Sequence, residues 1–427
     1  MTHTALASRG APACPYSVVI IGAGQAGLAA ARTLTRAGLR PGHELLVLDA
    51  NSGPGGAWRH RWPSLTLGRA HGIADLPGLR LGQVDPQVPA AEVVADYYGR
   101  YEQEFDLAVQ RPAQVRAVHT GPSPDLLTVT YDGPDAPSSV TTRLLINATG
   151  TWTRPYVPHV PGIETFAGRQ LHTVSFRNAE EFAGLRTVVV GGGLSAVQFL
   201  LQLAPITDTV WATRRPPNFT DRAFDPTWGQ DVERAVRERT QSGQAPASVV
   251  RTTGIPLWPE YRQGVAEGVL VSRGMFARIS PGGVFFPGTG HAPGGTGDAG
   301  TRVGHDAGTR VGHDAGASRG EGGAGGLGPS AADHLVLPES WRPFEEPTEV
   351  AADVIFWNTG FRAALDHLAP LQLRSGGGIR MKSEVEIEGE ERVLLVGYGS
   401  SASTIGATRA GRAAARVALR RLEHQNA

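Results

Sequence analysis

The sequence contains two glycine turns, and each lies between an apolar, β-branched run and an amphipathic segment. The first is VVIIGAGQAG at 18–27, and the second is VVVGGGLSAVQF at 188–199. A strand, a glycine turn and a helix in this order begin a βαβ unit, whose helix N-terminus can hold a dinucleotide pyrophosphate. Two such units predict an α/β protein with two Rossmann-like dinucleotide-binding domains.

The first turn has the features of a site for a dinucleotide with a free ribose diol. Gly22, Gly24 and Gly27 allow a tight turn and a close approach of the backbone to a pyrophosphate, with Gln25 at the start of the next helix. Asp49 ends the following strand, ELLVLDA, where a carboxylate can accept hydrogen bonds from the ribose. We therefore expect FAD at this turn.

The second turn is a GxGxxA variant with Gly191 and Gly193, and Ser195 lies at the start of its helix. The following strand, TVWATRR, ends in Arg214 and Arg215 and has no acidic residue there. A carboxylate would repel a ribose 2′-phosphate, whereas guanidinium groups bind it through charge-assisted hydrogen bonds. This pattern predicts NADPH, although the two arginines are also compatible with ordinary surface charges. A chain with both sites can pass a hydride from nicotinamide to flavin.

The order of the segments predicts that one domain is inserted in the other, as in the glutathione-reductase-like fold. A proline-rich connector, TRPYVPHVPG, follows the first unit and indicates a crossing between domains. We assign 1–155 and 350–427 to the FAD domain and 156–349 to the NADPH domain.

A glycine-rich stretch at about 282–333 does not fit this plan and is predicted to be a disordered insertion. It contains the octapeptide DAGTRVGH at 298–305 and again at 306–313, with few large apolar residues to bury. The repeated His305 and His313 allow a metal site, but a solvated surface segment is the favoured interpretation. No metal site is predicted.

Composition narrows the class of protein. The chain has 40 basic and 40 acidic residues, which gives no excess charge for nucleic acid. Its single cysteine, Cys14, excludes an internal disulfide and a CxxC redox pair. No segment reaches the ~18 consecutive apolar residues of a membrane span, and no apolar signal-peptide core is present. We expect a cytoplasmic protein that binds neither nucleic acid nor a membrane.

Four segments carry a resemblance to a known family. They are GGAW at 55–58, NATGTWTRPYVPHVPG at 147–162, FAGRQLHTVSF at 166–176 and LLVGYGSSASTIGATRAGRAAA at 394–415. With both glycine turns, they resemble the class B flavin-dependent monooxygenases, which include flavin-containing and Baeyer–Villiger monooxygenases. The resemblance implies that NADPH reduces FAD and that O₂ then adds to the reduced flavin. A C4a-(hydro)peroxyflavin would oxygenate a small-molecule substrate.

The resemblance also implies roles for individual residues around the flavin. Gly56 and Trp58 would approach the flavin, although Trp58 is also compatible with simple packing. Thr149 and Gly150 would contact the diphosphate side of FAD or the adjoining backbone.

Further implied positions lie late in the chain and between the two turns. Gly397, Gly399 and Thr404 would place a helix N-terminus near the flavin pyrimidine, where it favours the negative charge of reduced flavin. His172 would lie at the domain junction, with a mechanistic and a packing role equally open. Baeyer–Villiger enzymes usually have tryptophan where this chain has Phe176, which favours N- or S-oxygenation.

Two departures from the family pattern leave other functions open. The stretch RHRWPSLTLGRAHGI after GGAW lacks the asparagine that animal-type relatives place near the flavin. WNTG at 357–360 replaces the more usual ATG. The alternatives are an NADPH-dependent flavin reductase that passes electrons to a quinone or partner protein, and a non-catalytic FAD/NADPH redox sensor.

Overall fold

The computed structural model describes most of both predicted units. The described residues are 14–70, 73–221, 238–244, 254–289, 336–375, 377–399 and 404–426. The octapeptide repeats and their histidines lie outside these residues.

The first domain begins with the strand, turn and helix that the sequence predicts. Its elements up to the first crossing are β1 (Tyr16–Ile21), α1 (Gln25–Arg36), β2 (Leu45–Leu48), α2 (Ala90–Glu104), β3 (Gln114–Thr120), β4 (Leu127–Asp132) and β5 (Pro137–Asn147). Short 3₁₀ helices lie at Gly56–His60 and Leu67–Arg69.

The second domain repeats this plan after the proline-rich connector. Its elements are β6 (Arg169–His172), β7 (Thr187–Val190), α3 (Leu194–Leu203), β8 (Thr209–Ala212), β9 (Phe219–Thr220), β10 (Ile255–Pro256), α4 (Pro259–Ala266), β11 (Arg278–Ser280), β12 (Gly283–Phe286), β13 (Thr348–Ala351) and β14 (Val354–Trp357). Its 3₁₀ helices are Ile163–Thr165, Thr173–Ser175, Glu180–Phe182 and Pro338–Ser340.

The chain then returns to the first domain. The returning elements are a 3₁₀ helix at Asp366–Leu371, β15 (Arg374–Ser375), β16 (Gly378–Ile379), β17 (Glu386–Ile387), β18 (Glu390–Leu395) and α5 (Thr404–Asn426). Among the helices of the described residues, none is long and apolar enough to cross a membrane.

Each domain contains a parallel sheet whose strands end at one edge. In the first domain the order is β17-β18-β5-β1-β2, with β4 and β3 extending antiparallel from β5. Strands β18, β5, β1 and β2 are mutually parallel. In the second domain the order is β6-β14-β7-β8, all parallel. In open α/β sheets, ligands bind outside the carboxyl ends of such strands.

Helices α1 and α5 pack closely on one face of the first sheet because small residues meet there. A Cβ added at Gly411 would lie 2.2 Å from the carbonyl oxygen of Ala26. This close approach fixes the start of α1, and hence the first glycine turn, relative to α5.

The predicted domain boundary at 350 is wrong. Strand β14 pairs in parallel with β6 and β7 and is therefore in the middle of the second sheet. The return to the first domain comes after it, where the Tyr156 amide donates to the Gly360 carbonyl and the Arg362 amide donates to the Arg154 carbonyl. The two crossings between the domains thus lie side by side.

The predicted start of the glycine-rich insertion at about 282 is also wrong. Residues 283–286 form β12, which pairs antiparallel with β11 and β13. Val284 and Phe286 are almost fully buried in this three-stranded sheet. The apolar run GVFF can bury side chains, unlike the residues that follow, and so it belongs to the domain core.

Candidate functional site

The first glycine turn is packed so tightly that two of its glycines cannot carry a side chain. Gly22 has φ +99°, and a Cβ there would lie 2.5 Å from the carbonyl oxygen of Ala148. A Cβ on Gly27 would lie 1.9 Å from the carbonyl oxygen of Gly22. A Cβ on Gly24, by contrast, would meet no atom closer than 4.0 Å. The fold requires Gly22 and Gly27, whereas Gly24 leaves room for a ligand.

The N-terminus of α1 is suited to an anion. Gly24 is its N-cap, and the helix has neither a capping side chain nor an acidic residue in its first turn. The N–H groups at this end and the positive end of the helix dipole favour an anionic ligand. The Gln25 side chain donates to Thr408 Oγ1 at 2.9 Å, which ties this turn to α5.

Asp49 is buried directly after β2 and holds the turn in place. Its Oδ2 accepts from the Ala23 amide at 2.7 Å, and its Oδ1 accepts from the Asn51 amide at 2.9 Å. Arg111 Nε lies 3.4 Å from Oδ1, and Arg111 also forms a bidentate pair with Glu102 at 2.6 and 2.8 Å. Because a carboxylate has about four acceptor sites, Asp49 keeps capacity for a ribose hydroxyl.

A cleft follows the carboxyl ends of the first sheet and brings most of the predicted residues together. Its lining includes Gly22, Gly24, Gln25, Asp49, Gly56, Trp58, Thr149, Gly150 and Gly397. Gly27 and Gly399 are outside the lining, and Gly399 packs against Thr240, where a Cβ would lie 2.8 Å from Cγ2. Thr404 begins α5, and Ala407 on that helix reaches the cleft.

The GGAW segment lies against the first glycine turn. Gly56 has φ +53°, and a Cβ there would lie 2.8 Å from the Cα of Gly24. Trp58 follows in the same 3₁₀ helix and packs against the apolar cores of both domains. Gly56 and Trp58 therefore lie where a flavin between the domains would be expected.

Thr149 and Gly150 are fixed by the returning segment. Thr149 Oγ1 donates to the Ala364 carbonyl at 2.7 Å and accepts from the Asn147 side chain at 3.1 Å. The Ala364 amide donates to the Gly150 carbonyl at 3.0 Å. A Cβ on Gly397 would lie 3.4 Å from the Cα of Gly150. The Thr149 hydroxyl is thus engaged within the protein, and it is the backbone here that can approach a ligand.

The second glycine turn repeats the geometry of the first. Gly191 has φ +134°, and a Cβ there would lie 2.2 Å from the carbonyl oxygen of Asn358. Gly193 is the N-cap of α3 and has open space around it. Ser195 lies in the first turn of α3, which again has no capping side chain and no acidic residue. This N-terminus can also hold a phosphate group.

Arg214 and Arg215 are exposed directly after β8, beside the second turn. Thr213 Oγ1 donates to the Arg215 carbonyl at 2.6 Å and lies 2.7 Å from Ser272 Oγ. A Cβ on Gly192 would lie 3.8 Å from Thr213 Cγ2. The two arginines therefore leave the sheet at the same edge as the glycine turn.

His172 ends β6 and is buried at the junction. Its Nε2 lies 3.0 Å from the Gly360 carbonyl, and its Nδ1 accepts from the Val174 amide at 3.5 Å. Burial lowers the pKa of His172, and the bond to Gly360 opposes that shift. Its ring meets Phe361 edge-on at 5.1 Å. Both nitrogens are engaged, which favours a positioning role over proton transfer.

The sequence did not single out two cleft residues with unpaired polar atoms. Tyr98 on α2 lines the cleft, and its buried hydroxyl has no hydrogen-bond partner in the described part of the chain. Burial raises the pKa of this hydroxyl, so it remains a donor. Arg61 lines the same cleft, and its buried Nε has no partner among the described residues. The one sequence signal near Arg61 is the absence of an asparagine after GGAW.

These features fit FAD in the first cleft. The Gly24 backbone is open, the α1 N-terminus has no side-chain cap, and Asp49 has acceptor capacity. The Tyr98 hydroxyl has no partner within the described ranges. With the second turn, the fold and the sites define a two-domain flavoprotein oxidoreductase that uses FAD and NADP(H).

Comparison with known proteins agrees with this class. A flavin-containing monooxygenase from Stenotrophomonas maltophilia has 30% sequence identity and a TM-score of 0.67, over 95% of this chain and 98% of that chain. The trimethylamine monooxygenase of Methylocella silvestris is 34% identical over 205 residues, which are 42% of this chain and 46% of the relative. Indole-3-pyruvate monooxygenase YUCCA1 of Oryza sativa subsp. japonica is 32% identical over 186 residues, 43% of this chain and 44% of the relative. The matches to these two curated relatives span less than half of each protein.

A family model for pyridine nucleotide-disulphide oxidoreductases matches residues 19–252. The chain belongs to this family and, within it, to the flavin-containing monooxygenases. Because the chain has one cysteine, Cys14, it lacks the dithiol pair that the family name suggests.

Proposed function

We propose that the protein is an NADPH-dependent FAD monooxygenase that uses O₂ to oxygenate a small molecule, with N- or S-oxygenation favoured. The observation that carries the proposal is the position of the 166–176 segment, whose resemblance favours a monooxygenase over a reductase. It contains β6, the edge strand of the second sheet, and His172 at the end of β6 bonds to Gly360 and packs on Phe361 at the first cleft. This segment thus links the NADPH domain to the flavin cleft.

FAD, when bound, supplies the redox chemistry: it accepts a hydride from NADPH and reacts with O₂. The chain holds FAD through the Gly24 backbone, the α1 N-terminus and Asp49. Arg214 and Arg215 would bind the 2′-phosphate of NADPH.

Aromatic side chains would exclude water at the junction. Trp152 stacks on Phe361 with ring centres 5.2 Å apart, and Trp58 lies on the same cleft. Exclusion of water favours transfer of oxygen to a substrate over release of hydrogen peroxide. His172 is assigned a positioning role because its bond to Gly360 holds the segment that carries Phe361.

The choice of reaction type rests on Phe176 and on the relatives. Phe176 is buried among Phe199, Phe356 and Trp62, so a larger ring at this position would require the core to repack. One relative is named for trimethylamine, which is consistent with N-oxygenation.

A cytoplasmic location also remains a prediction.

The test is to reduce the FAD-loaded protein with NADPH under nitrogen and then mix it with oxygenated buffer in a stopped-flow spectrometer. We expect a transient species that absorbs to the blue of oxidised flavin and lasts for seconds. Direct return to the oxidised spectrum, with one hydrogen peroxide released per NADPH, would contradict the proposal and support the reductase.

A further inference from the structure

Arg61 is a cation in the cleft, and no carboxylate of the described residues pairs with it. Its Nε atom is fully buried and has no hydrogen-bond partner among the residues that the structure describes. Burial lowers the pKa of Arg61 to about 10, so its guanidinium remains charged at pH 7. A buried charged donor without a partner destabilises the folded state, and a ligand that supplies an acceptor removes that cost.

Three tryptophan rings surround the guanidinium. Its central carbon lies 4.1 Å from the ring centre of Trp152, 5.6 Å from that of Trp58 and 5.9 Å from that of Trp62. Cation–π contacts hold the group in place. They do not satisfy its N–H donors, which lie in the guanidinium plane and need an oxygen acceptor.

The position of Arg61 is the junction of the two domains. Trp62 packs into the second core, with its ring 4.7 Å from that of Phe199. Trp152 stacks on Phe361, where the chain crosses back to the first domain. The uncapped N-termini of α1 and α3 already provide for the pyrophosphates of the two cofactors. Arg61 is therefore available to a third ligand.

We propose that Arg61 binds the carboxylate of the substrate and that the enzyme acts on planar organic acids. A guanidinium fork matches a carboxylate through two parallel hydrogen bonds. Trp58 and Trp152, which line the cleft beside it, suit a flat apolar body. This inference rests on the proposed function and names its substrate class.

The test compares a matched acid and amide, (phenylthio)acetate and (phenylthio)acetamide. Each is titrated into the oxidised, FAD-loaded protein without NADPH, and binding is followed by the shift of the flavin spectrum. The wild type should bind the acid about 10- to 100-fold more tightly, because a charge-assisted pair is absent in the amide. Arg61→Gln should abolish this preference and leave amide binding unchanged. Arg69→Gln removes the same charge from an exposed position and should retain the preference.

Three results of the acid and amide titrations would overturn the assignment. They are equal affinity of the wild type for acid and amide, no binding of the acid at millimolar concentration, and an equal loss for both ligands in Arg61→Gln. A selective loss of NADP⁺ affinity in that variant would instead assign Arg61 to the cofactor. If Arg61→Gln does not fold, the wild-type comparison and Arg61→Lys, which keeps the charge without the fork, decide the question. Because no turnover is involved, a reductase that never oxygenates would still show the preference, so the two proposals fail separately.

Discussion

Replacing Asp49 by asparagine tests whether this carboxylate both builds the first turn and binds FAD. Asp49 is 4% exposed and accepts from the Ala23 amide at 2.7 Å and the Asn51 amide at 2.9 Å, each on a different oxygen. Asparagine has one acceptor oxygen, so its NH₂ group would face one of these two donors. Arg111 would keep its bidentate pair with Glu102 and would not become an unpaired charge.

The expected cost follows from these bonds. Hydrogen bonds to a charged group contribute about 1.5–3 kcal/mol each, and neutral bonds about 0.5–1.5 kcal/mol. Loss of one bond and neutralisation of the other should lower the unfolding free energy of the apoprotein by about 2–4 kcal/mol. FAD should bind at least about 10-fold more weakly, because the ribose would lose a charged acceptor.

Urea unfolding of the apoprotein gives the first quantity, and quenching of flavin fluorescence on titration gives the second. Asp85→Asn is the matched control, because Asp85 is exposed and accepts one backbone amide, that of Gln87, at 2.8 Å. We expect this control to change stability by about 0.5 kcal/mol or less. If Asp49→Asn has the same stability and the same FAD affinity as the wild type, the reasoning is refuted.

Three further predictions concern other parts of the structure. Gly27→Ala should prevent recovery of folded protein, because its Cβ would lie 1.9 Å from a carbonyl oxygen, whereas Gly24→Ala should keep the apoprotein melting temperature and weaken FAD binding. Thermal melts and FAD titration distinguish them, and equal behaviour of the two variants would contradict the packing argument. Replacing Arg214 and Arg215 by glutamine should raise the KM for NADPH about 10- to 100-fold and leave that for NADH unchanged; parallel changes for both nucleotides would exclude 2′-phosphate binding. His367 has its pKa lowered by burial to about 4, so its contribution to stability is present above pH 6.5 and is lost as the pH falls toward 4. Urea unfolding between pH 7 and 4.5 should show this loss, and His367→Gln should flatten that part of the profile; an unchanged slope would assign the pH dependence to other groups.

The sequence was sufficient to predict the two dinucleotide turns because their chemistry is local. Gly22, Gly27 and Gly191 occupy positions where a Cβ would collide with a backbone oxygen. The strand before each turn and the helix after it are consecutive in the chain. The strand, turn and helix were therefore predicted together, with Asp49 and the two arginines at the ends of the next strands.

The partner of an isolated strand was harder to predict. Strand β14 is a short apolar run whose pattern is the same in either sheet. Its place between β6 and β7 depends on contacts with residues more than 150 positions away. Strand β12 likewise pairs with β11 and β13. It was not predicted because the glycine-rich sequence beside it is typical of disorder.

Long-range side-chain contacts in the site were also beyond the sequence. The Glu102–Arg111 pair that abuts Asp49 joins α2 to the segment before β3. No periodicity of the sequence indicates that Arg61 contacts Trp152, which lies much later in the chain, after β5. Charged residues are usually exposed, so an arginine whose Nε is buried is recognised only when its surroundings are known.

The central claim is that the protein inserts an oxygen atom from O₂ into a substrate at the expense of NADPH. The most direct measurement is turnover of methyl phenyl sulfide or trimethylamine, and of (phenylthio)acetate as the carboxylate substrate, under ¹⁸O₂. NADPH consumption is followed in parallel, and the product is analysed by mass spectrometry. We predict one ¹⁸O atom in each product molecule and close to one product per NADPH. Stoichiometric hydrogen peroxide, with no ¹⁸O in either compound or in (phenylthio)acetate, would contradict the claim.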